Sequence, residues 1–253
     1  MIKNKVPLSV IILTHRQDQR FIKALQSAQL AAEVLVIDYQ SGNNWQELAK
    51  KYHFKLIKRT GLIENFSQER NLALKESNSE WIFFLDSDEE IIPTSWPEIT
   101  ALVTNDSGVD GYLVERTDIF YDRALKFGET GGNKFLRLIR KDKAQYLRPV
   151  HEQAIVQGTT EYSKIQIIHY SHQNISEFIQ DVTHYAELEA EYQTDDLLSP
   201  AVLGLKTIIY PKSKFLVNYL FKLGFLDGWR GLVYATIMSL HSIMVRVFSY
   251  ENH

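Results

Sequence analysis

The sequence predicts an α/β fold in which helices flank a mixed, mostly parallel central sheet. In the first hundred residues, short apolar segments alternate with segments whose apolar residues recur at helical spacing. Such alternation is typical of βαβ units with right-handed crossovers. Acidic residues follow two of the predicted strands, and ligands of open α/β sheets bind at the carboxyl ends of strands. We therefore expect a ligand site at one edge of this sheet.

The composition is that of an ordinary globular protein. The chain has 253 residues, of which 45% are hydrophobic and 23% are charged, so a disordered chain is excluded. The net charge of -3 argues against nucleic-acid binding, since nucleic-acid binders are usually basic. The chain has no cysteine, which excludes disulfides, a thiolate nucleophile and a cysteine-ligated zinc. A reducing, cytoplasmic location suits this composition.

Strands and helices are predicted in regular order through the first half. Lys3 and Lys5 precede an apolar run, but Pro7 interrupts it and no cleavage site follows. We interpret the run as a first strand and not as a signal peptide. The predicted strands are 8–13, 34–37, 55–57 and 81–85, and the predicted helices are 17–29, 45–52 and 65–75.

The pattern changes near residue 111 to shorter strands that are separated by glycine-containing turns. The predicted strands are 111–115, 135–140, 152–156 and 165–168. A helix is predicted at 176–192, with Ser176 as its N-cap. We therefore expect a main domain at 1–198, with halves 1–110 and 111–198, and a C-terminal amphipathic helical region at 199–253.

The C-terminal region differs in composition from the rest of the chain. Between residues 203 and 248, basic residues are interleaved with aromatic and aliphatic ones, and Asp227 is the one acid. This pattern predicts helices in a membrane interface, or helices that pack on the main domain or on a second subunit. The apolar stretch between Arg230 and Arg246 is shorter than the roughly 20 residues of a spanning helix.

The most informative stretch of the chain is 81–90. A run of five apolar residues is followed by Asp86, Asp88, Glu89 and Glu90. Burying carboxylates beside an apolar strand costs free energy unless a positive charge meets them. Two aspartates around one small residue can share a hard divalent cation, and the cation can also bind a diphosphate. The structural alternative is an acidic helix N-terminus.

Several further motifs occur in order around this stretch. The first set is a strand ending in Thr14, a strand ending in Asp38, Gln68-Glu69-Arg70-Asn71 in a helix, and Phe84-Leu85-Asp86-Ser87-Asp88-Glu89. The second set is Arg137-Leu138-Ile139-Arg140, Val150-His151-Glu152, His169-Tyr170 and Gly224-Phe225-Leu226-Asp227-Gly228-Trp229-Arg230-Gly231. The first set resembles family 2 glycosyltransferases of the GT-A fold. The second resembles the subgroup of bacterial lipopolysaccharide-core glucosyltransferases, and together the sets cover nearly the whole chain.

The resemblance implies a metal-dependent, inverting hexosyltransferase that uses a nucleotide-diphosphate sugar, with a UDP-sugar as the default. The acceptor would be a cell-surface glycan or a lipid-linked saccharide. Residues 1–110 would form the nucleotide-binding half and residues 111–198 the acceptor-binding half. The C-terminal region would hold the enzyme, as a monomer or a homo-oligomer, at the inner face of the cell membrane.

The resemblance also assigns roles to individual residues. Nucleotide-sugar binding falls to Thr14, Asp38, Arg70, Asp86 and Arg137. Asp88 and His169 would hold the cation, and oxygen ligands with one imidazole favour Mn²⁺ or Mg²⁺ over Ca²⁺. Glu152 would act as the general base that takes the proton of the acceptor hydroxyl.

Each assignment has an alternative. In the alternative interpretation, Asp38 is a turn residue, Arg70 forms a structural ion pair, and His169 is a structural histidine at a strand end. Glu89 or Glu90 competes with Glu152 for the role of base, while Glu152 otherwise pairs with Arg137 or Arg148. At the level of function, the alternatives are transfer to a polyprenyl phosphate, a non-catalytic glycan- or nucleotide-binding protein, and a scaffold subunit.

The chain departs from the family pattern in two loops at the expected nucleotide pocket. The segment 38–44 replaces the common Asp-Ser-Gly-Ser-Thr-Asp, and Asn43-Asn44 stands where a second acid is usual. The segment 14–18, Thr-His-Arg-Gln-Asp, replaces the common Thr-Lys-Asn-Glu. The identity of the nucleotide is therefore left open by the sequence.

Overall fold

The chain folds into two compact units. The computed structural model describes residues 5–39, 45–59, 66–147, 153–172, 174–191 and 200–251. The first unit comprises Met1–Arg116 and Asn133–His169, and the second comprises Thr117–Gly132 and Tyr170–His253. The boundary expected at residue 198 lies outside the described residues.

The strands form one large mixed sheet and one small one. They are β1 (Val6–Thr14), β2 (Ala31–Tyr39), β3 (Lys55–Arg59), β4 (Trp81–Asp86), β5 (Glu89–Ile91), β6 (Gly111–Phe120), β7 (Arg123–Ala124), β8 (Lys134–Arg140), β9 (Ala144–Leu147), β10 (Gln153–Val156) and β11 (Thr160–His172). The order of the large sheet is β3-β2-β1-β4-β8-β6-β11-β5, with β7 paired to β6. Strands β3, β2, β1 and β4 are parallel, whereas β8 is antiparallel to both of its neighbours. The predicted mixed sheet is confirmed.

Seven helices accompany these strands in the described chain: α1 (Gln19–Ser27), α2 (Trp45–Tyr52), α3 (Phe66–Glu76), α4 (Trp96–Thr104), α5 (Ile175–Ala190), α6 (Pro200–Leu216) and α7 (Trp229–Glu251). Helix α4 was not predicted from the sequence. The predicted N-cap of α5 was wrong. Asn174, and not Ser176, has the extended backbone of a cap, and its side-chain oxygen accepts the N–H of Glu177 at 2.9 Å.

The first unit buries both faces of its parallel strands. Along β1, Val10 and Ile12 point into one hydrophobic cluster, while Ile11 points into the other. Helices α1, α2 and α4 contribute to the first cluster and α3 to the second. A strand that is covered on both faces has no polar side, so its sequence is a continuous apolar run. This explains why 81–85 contains no polar residue.

The second unit is built around α5, α6 and α7. Its core includes Phe120, Phe178, Val182 and Ile237, and α7 contacts both of the other helices. The predicted helical tail is confirmed. Helix α7 is longer than the apolar interval of the sequence: it has 23 residues and a mean hydropathy of 1.4 over its most apolar window. By length and composition it meets the criterion for crossing a membrane, a criterion that core helices of soluble proteins also meet.

The start of α7 is fixed by close backbone contacts. A Cβ at Gly231 would overlap the carbonyl oxygen of Gly224, and a Cβ at Gly224 would lie 2.6 Å from the carbonyl oxygen of Asn218. The carboxylate of Asp227 accepts the backbone N–H groups of Lys126 at 3.0 Å and Phe127 at 2.9 Å. The Gly-x-x-Asp spacing of this motif therefore serves packing within the second unit.

We predict that Gly231→Ala destabilises the protein by about 1–3 kcal/mol, because the new methyl group forces the two backbones apart. Gly204→Ala is the matched control: a Cβ at this position would have no atom within 4 Å, and alanine is favoured over glycine inside a helix by about 0.5–1 kcal/mol. Urea unfolding followed by circular dichroism measures both changes. Equal stability of the two variants would contradict the close approach.

Candidate active site

Three predicted site residues lie at the carboxyl ends of neighbouring parallel strands. In the strand register, Thr14 of β1 is opposite Asp38 of β2, and Leu13 is opposite Asp86 of β4. Thr14 and Asp38 are buried. The Thr14 hydroxyl donates to the carbonyl of Arg16 at 2.7 Å and accepts the N–H of Arg16 at 3.0 Å. These bonds turn the chain sharply at the end of β1 and bring Arg16 to the sheet edge.

Asp86 is held by two arginines. The Arg70 Nη2 donates to Asp86 Oδ1 at 3.0 Å, and the Arg137 Nη2 donates to Asp86 Oδ2 at 2.6 Å. Arg70 comes from α3 and its guanidinium lies over the rings of Phe84 and Tyr146, with distances of 5.1 and 5.4 Å to the ring centroids. Both carboxylate oxygens of Asp86 are therefore engaged in ion pairs within the protein.

Glu89 is the second carboxylate that contacts Arg137. It is fully buried. Its Oε1 accepts Arg137 Nη2 at 2.6 Å and lies 3.6 Å from Arg116 Nη1, while its Oε2 accepts the backbone N–H of Asp86 at 3.0 Å. We call Arg70, Asp86, Glu89, Arg116 and Arg137 the buried ion cluster. Because Glu89 bonds the backbone at Asp86, the cluster fixes the turn that carries Asp88.

The charges of the cluster shift one another's titration. Burial raises the pKa of the Asp86 carboxyl, but Arg137 and Arg70 outweigh that effect, and the pKa lies well below its ordinary value. Burial also raises the pKa of Glu89, and there the charge of Asp86 adds to burial while Arg137 opposes it, so the pKa lies above its ordinary value. Burial lowers the pKa of Arg137, which is nevertheless raised by Asp86 and Glu89. Arg137 is the cation that both carboxylates share.

Asp88 and His169 face each other beside the cluster. The Asp88 Oδ1 lies 3.6 Å from His169 Nε2, and Asp88 Oδ2 lies 4.0 Å from Arg16 Nη1. The register between β5 and β11 places His169 opposite Glu89. One carboxylate oxygen and one imidazole nitrogen that lie this close are ligand types that Mn²⁺ or Mg²⁺ accepts.

Within the described part of the chain, no three His, Cys, Asp or Glu side chains converge as a metal site. Asp88 and His169 would thus supply two ligands. Ions of this kind are commonly held by one or two protein ligands, and the phosphates of the substrate and water complete the shell. The residues present fit a cation that is shared with a diphosphate.

Of the eight residues predicted for the site, seven lie in the first unit, namely Thr14, Asp38, Arg70, Asp86, Asp88, Arg137 and His169. The eighth, Glu152, lies outside the described residues, as do His151 and Arg148. Of the two competing bases, Glu89 is fully buried and Glu90 is partly exposed.

Sequence reasoning missed two charged residues of the site. Arg16 lies two residues after Thr14, in a loop that departs from the family pattern. Its position next to a predicted site residue could have indicated that it belongs to the site. Arg116 lies in β6, which ends beyond the predicted strand 111–115. No spacing in the sequence connects it to Glu89.

Comparison with known proteins decides the family. The profile described as glycosyl transferase family 2 matches residues 9–168, a stretch that includes every residue of the predicted site except His169. The chain belongs to glycosyl transferase family 2. It is therefore a glycosyltransferase.

Relatives of this glycosyltransferase agree with the assignment. It is 22% identical over 259 aligned positions to the lipopolysaccharide core biosynthesis glycosyltransferase LpsC of Rhizobium meliloti (strain 1021), a match that covers 98% of this chain and 94% of LpsC. An uncharacterised glycosyltransferase of Mycoplasma pneumoniae, the MG060 homolog, is 32% identical over 112 residues, which is 38% of this chain and 36% of that protein.

A solved structure establishes the GT-A fold. The mannosyltransferase PcManGT from Pyrobaculum calidifontis, solved in complex with GDP-Man and Mn²⁺, superposes with a TM-score of 0.53 at 13% sequence identity. The match covers 97% of this glycosyltransferase and 87% of that chain. At this identity the likeness concerns the fold alone.

We predict that Arg137→Met lowers the free energy of unfolding of this glycosyltransferase by about 3 kcal/mol at neutral pH, since it leaves Glu89 buried without its nearest cation. Without Arg137 the pKa of Glu89 rises further. The folded variant then binds a proton that the unfolded chain does not bind, so the deficit shrinks as the pH falls towards acid.

Arg140→Met is the control on the same strand, because Arg140 pairs with the exposed carboxylates of Glu80 and Asp106. Exposed pairs contribute less than about 1 kcal/mol. Urea unfolding at several pH values measures both variants. A loss for Arg137→Met that does not change with pH would contradict the role given to Arg137.

Proposed function

We propose that this glycosyltransferase is inverting and metal-dependent, and that it transfers a hexose from a nucleotide-diphosphate sugar, a UDP-sugar, to a saccharide acceptor of the cell envelope. The observation that carries the proposal is the placement of Asp88 and His169 at 3.6 Å from each other, on the sheet edge where Thr14, Asp38 and Asp86 end their strands. This is the edge where α/β sheets bind nucleotides.

In this proposal the buried ion cluster positions the donor site rather than binding the donor itself. Asp86 and Arg137 are engaged with each other, and Glu89 holds the Asp86 backbone. Asp88 is thereby presented at a defined place. Thr14 and Asp38 lie one strand and two strands away from β4. Adjacent strands are about 4.8 Å apart, and we place the nucleoside half of the donor over these two residues.

Asp88 and His169 would hold Mn²⁺ or Mg²⁺ in this scheme. The cation, when bound, neutralises charge that develops on the departing diphosphate. Arg16, whose Nη1 lies 4.0 Å from Asp88 Oδ2, adds a positive charge on the same side. The structure of PcManGT, solved with GDP-Man and Mn²⁺, supports a nucleotide sugar and a divalent cation for this fold.

Glu152 is our proposed general base. Inversion requires a carboxylate that removes the acceptor proton while the new bond forms, and the resemblance to the family assigns this role to Glu152. The name of LpsC, a lipopolysaccharide core biosynthesis glycosyltransferase, supports an acceptor in a cell-surface glycan. Such acceptors are anchored in lipid, so we place the enzyme at the inner face of the cell membrane, attached through its C-terminal helices.

We predict that UDP-glucose binds in the presence of Mn²⁺ and that Asp88→Ala weakens this binding at least about tenfold, as loss of a ligand or its support does in metal sites. Isothermal titration calorimetry with UDP-glucose and GDP-mannose, with and without Mn²⁺, measures the affinities. Asp142→Ala is the matched control, since Asp142 is an exposed aspartate of the turn Lys141–Lys143.

Metal-dependent binding of GDP-mannose alone would keep the glycosyltransferase site and change the nucleotide. Binding of neither donor would contradict the proposal and favour a non-catalytic protein on the same fold.

We also predict that Glu152→Gln lowers kcat by about 10²–10⁴-fold while the donor affinity stays unchanged, because only proton removal is lost. Release of UDP in the presence of a lipopolysaccharide core oligosaccharide measures turnover, and Glu161→Gln, at an exposed position of β11, is the control. An active Glu152→Gln variant would argue for an acceptor that is already an anion, such as a polyprenyl phosphate.

A further inference from the structure

The second unit carries a helical hairpin with an apolar end. Helices α6 and α7 contact each other, and the Arg246 guanidinium of α7 lies 4.0 Å from the ring centroid of Tyr210 in α6. They are joined by a π-helical turn, Val217–Phe221, and a 3-10 turn, Gly224–Asp227. We call residues 216–229 the apolar tip.

Large hydrophobic side chains of the apolar tip are exposed to solvent. Phe221 has the largest exposed fraction of any such side chain in the described residues, 80%, and Leu226 and Trp229 are 53% and 49% exposed. The others that are exposed here are Leu216, Val217, Leu220, Leu223 and Phe225. Exposed apolar side chains that are concentrated in one short segment mark a site of interaction with a protein or a membrane.

The tip is held in place by polar contacts on its inner side. Asp227 accepts two backbone N–H groups from 126–127. The Asn218 Nδ2 donates to Glu129 at 2.9 Å. Gly224 and Gly231 allow the backbones to meet. The apolar side chains are therefore presented outwards by a fixed backbone, which reduces the entropy that insertion would cost.

The charges around the tip favour an anionic partner. Lys212 and Lys222 are exposed. Lys214 is compensated by Glu129, whose Oε1 lies 3.4 Å away. Asp227 is turned inwards to its backbone donors, and the next acid along α7 is Glu251, at the far end of the helix. Exposed lysines beside apolar side chains match the phosphates and acyl chains of a lipid interface.

The same charges disfavour a second copy of this chain as the occupant, because a symmetric contact through the tip would bring like lysines together. Helix α7 itself is partly buried against the rest of the second unit. One third of its most apolar window is buried, 33%, and the Ser239 and Ser242 side chains lie among its buried residues. Exposed large side chains also lie along α6, among them Ile208 and Ile209, but the most exposed one in the described residues, Phe221, belongs to the tip.

We propose that the apolar tip inserts into the interface of an anionic phospholipid bilayer, with Phe221 as the deepest side chain and Lys212 and Lys222 at the headgroups. This deepens the membrane attachment proposed above, and it is independent of donor and acceptor chemistry. In this proposal the hairpin inserts end-on, with the tip alone in the bilayer. Leu205 lies 11 positions before the tip, which is about 16 Å of helix rise. It therefore stays in water although it is 58% exposed.

The first test is flotation of the full-length protein with vesicles of phosphatidylethanolamine and phosphatidylglycerol. We expect Phe221→Ser to weaken binding about tenfold or more, and Lys222→Gln to weaken it about fivefold. Leu205→Ser should bind as the wild type does. Circular dichroism shows whether each variant is folded, and calorimetry with UDP-glucose shows whether the donor site is intact, so failure of the proposed function is seen separately.

The second test uses the absence of cysteine in the chain. Phe221→Cys and Leu205→Cys each provide one labelling site for the environment-sensitive dye NBD. We expect a blue-shifted, brighter emission on vesicles for the label at 221 and no change at 205. Equal shifts at both positions would overturn end-on insertion in favour of a hairpin that lies flat. Wild-type protein that does not float, or tip variants that change only the oligomeric state in light scattering, would overturn the proposal.

Discussion

The salt bridges of Arg137 to Asp86 and Glu89 are the interactions on which the geometry of the site depends. A buried glutamate next to a second carboxylate is unfavourable without a cation, and Arg137, from a different strand, supplies it. With that charge in place, Glu89 can accept the backbone N–H of Asp86. The turn after β4 is then fixed, and Asp88 is directed towards His169. The position of Asp88 thus depends on charges supplied by β4, β5 and β8.

This arrangement explains why acids that are adjacent in sequence have different roles. Asp86 is neutralised by two arginines although its side chain is 34% exposed, and Glu89 is fully buried beside Arg137. Asp88, whose side chain is 18% exposed, instead faces His169 and Arg16. In the second unit, too, a carboxylate holds the backbone in place. There Asp227 ties the backbone at 126–127 and allows a tip of apolar side chains to face outwards.

The sequence predicted the parts of the fold that follow from local pattern. Apolar runs such as 81–85 and helical spacing such as 45–52 located the strands and helices of the parallel half. The resemblance assigned a cation to Asp88 and His169, and these two side chains lie 3.6 Å apart. The sequence did not predict partners that come from distant strands. Arg137, which was predicted to bind the nucleotide sugar, is 7% exposed and pairs with Asp86 and Glu89, two partners that the sequence did not indicate. Such pairing depends on strand order, which local pattern does not encode.

The most direct test of this account is the affinity for Mn²⁺ in the presence of UDP, measured by electron paramagnetic resonance of the free ion, on the wild type, Glu89→Gln and Glu90→Gln. Glu89 accepts the backbone N–H of Asp86, and Glu90 is the next carboxylate in the sequence, so we expect Glu89→Gln to weaken Mn²⁺ binding about tenfold and Glu90→Gln to leave it unchanged. A folded Glu89→Gln variant with wild-type affinity would show that the buried ion cluster does not position Asp88.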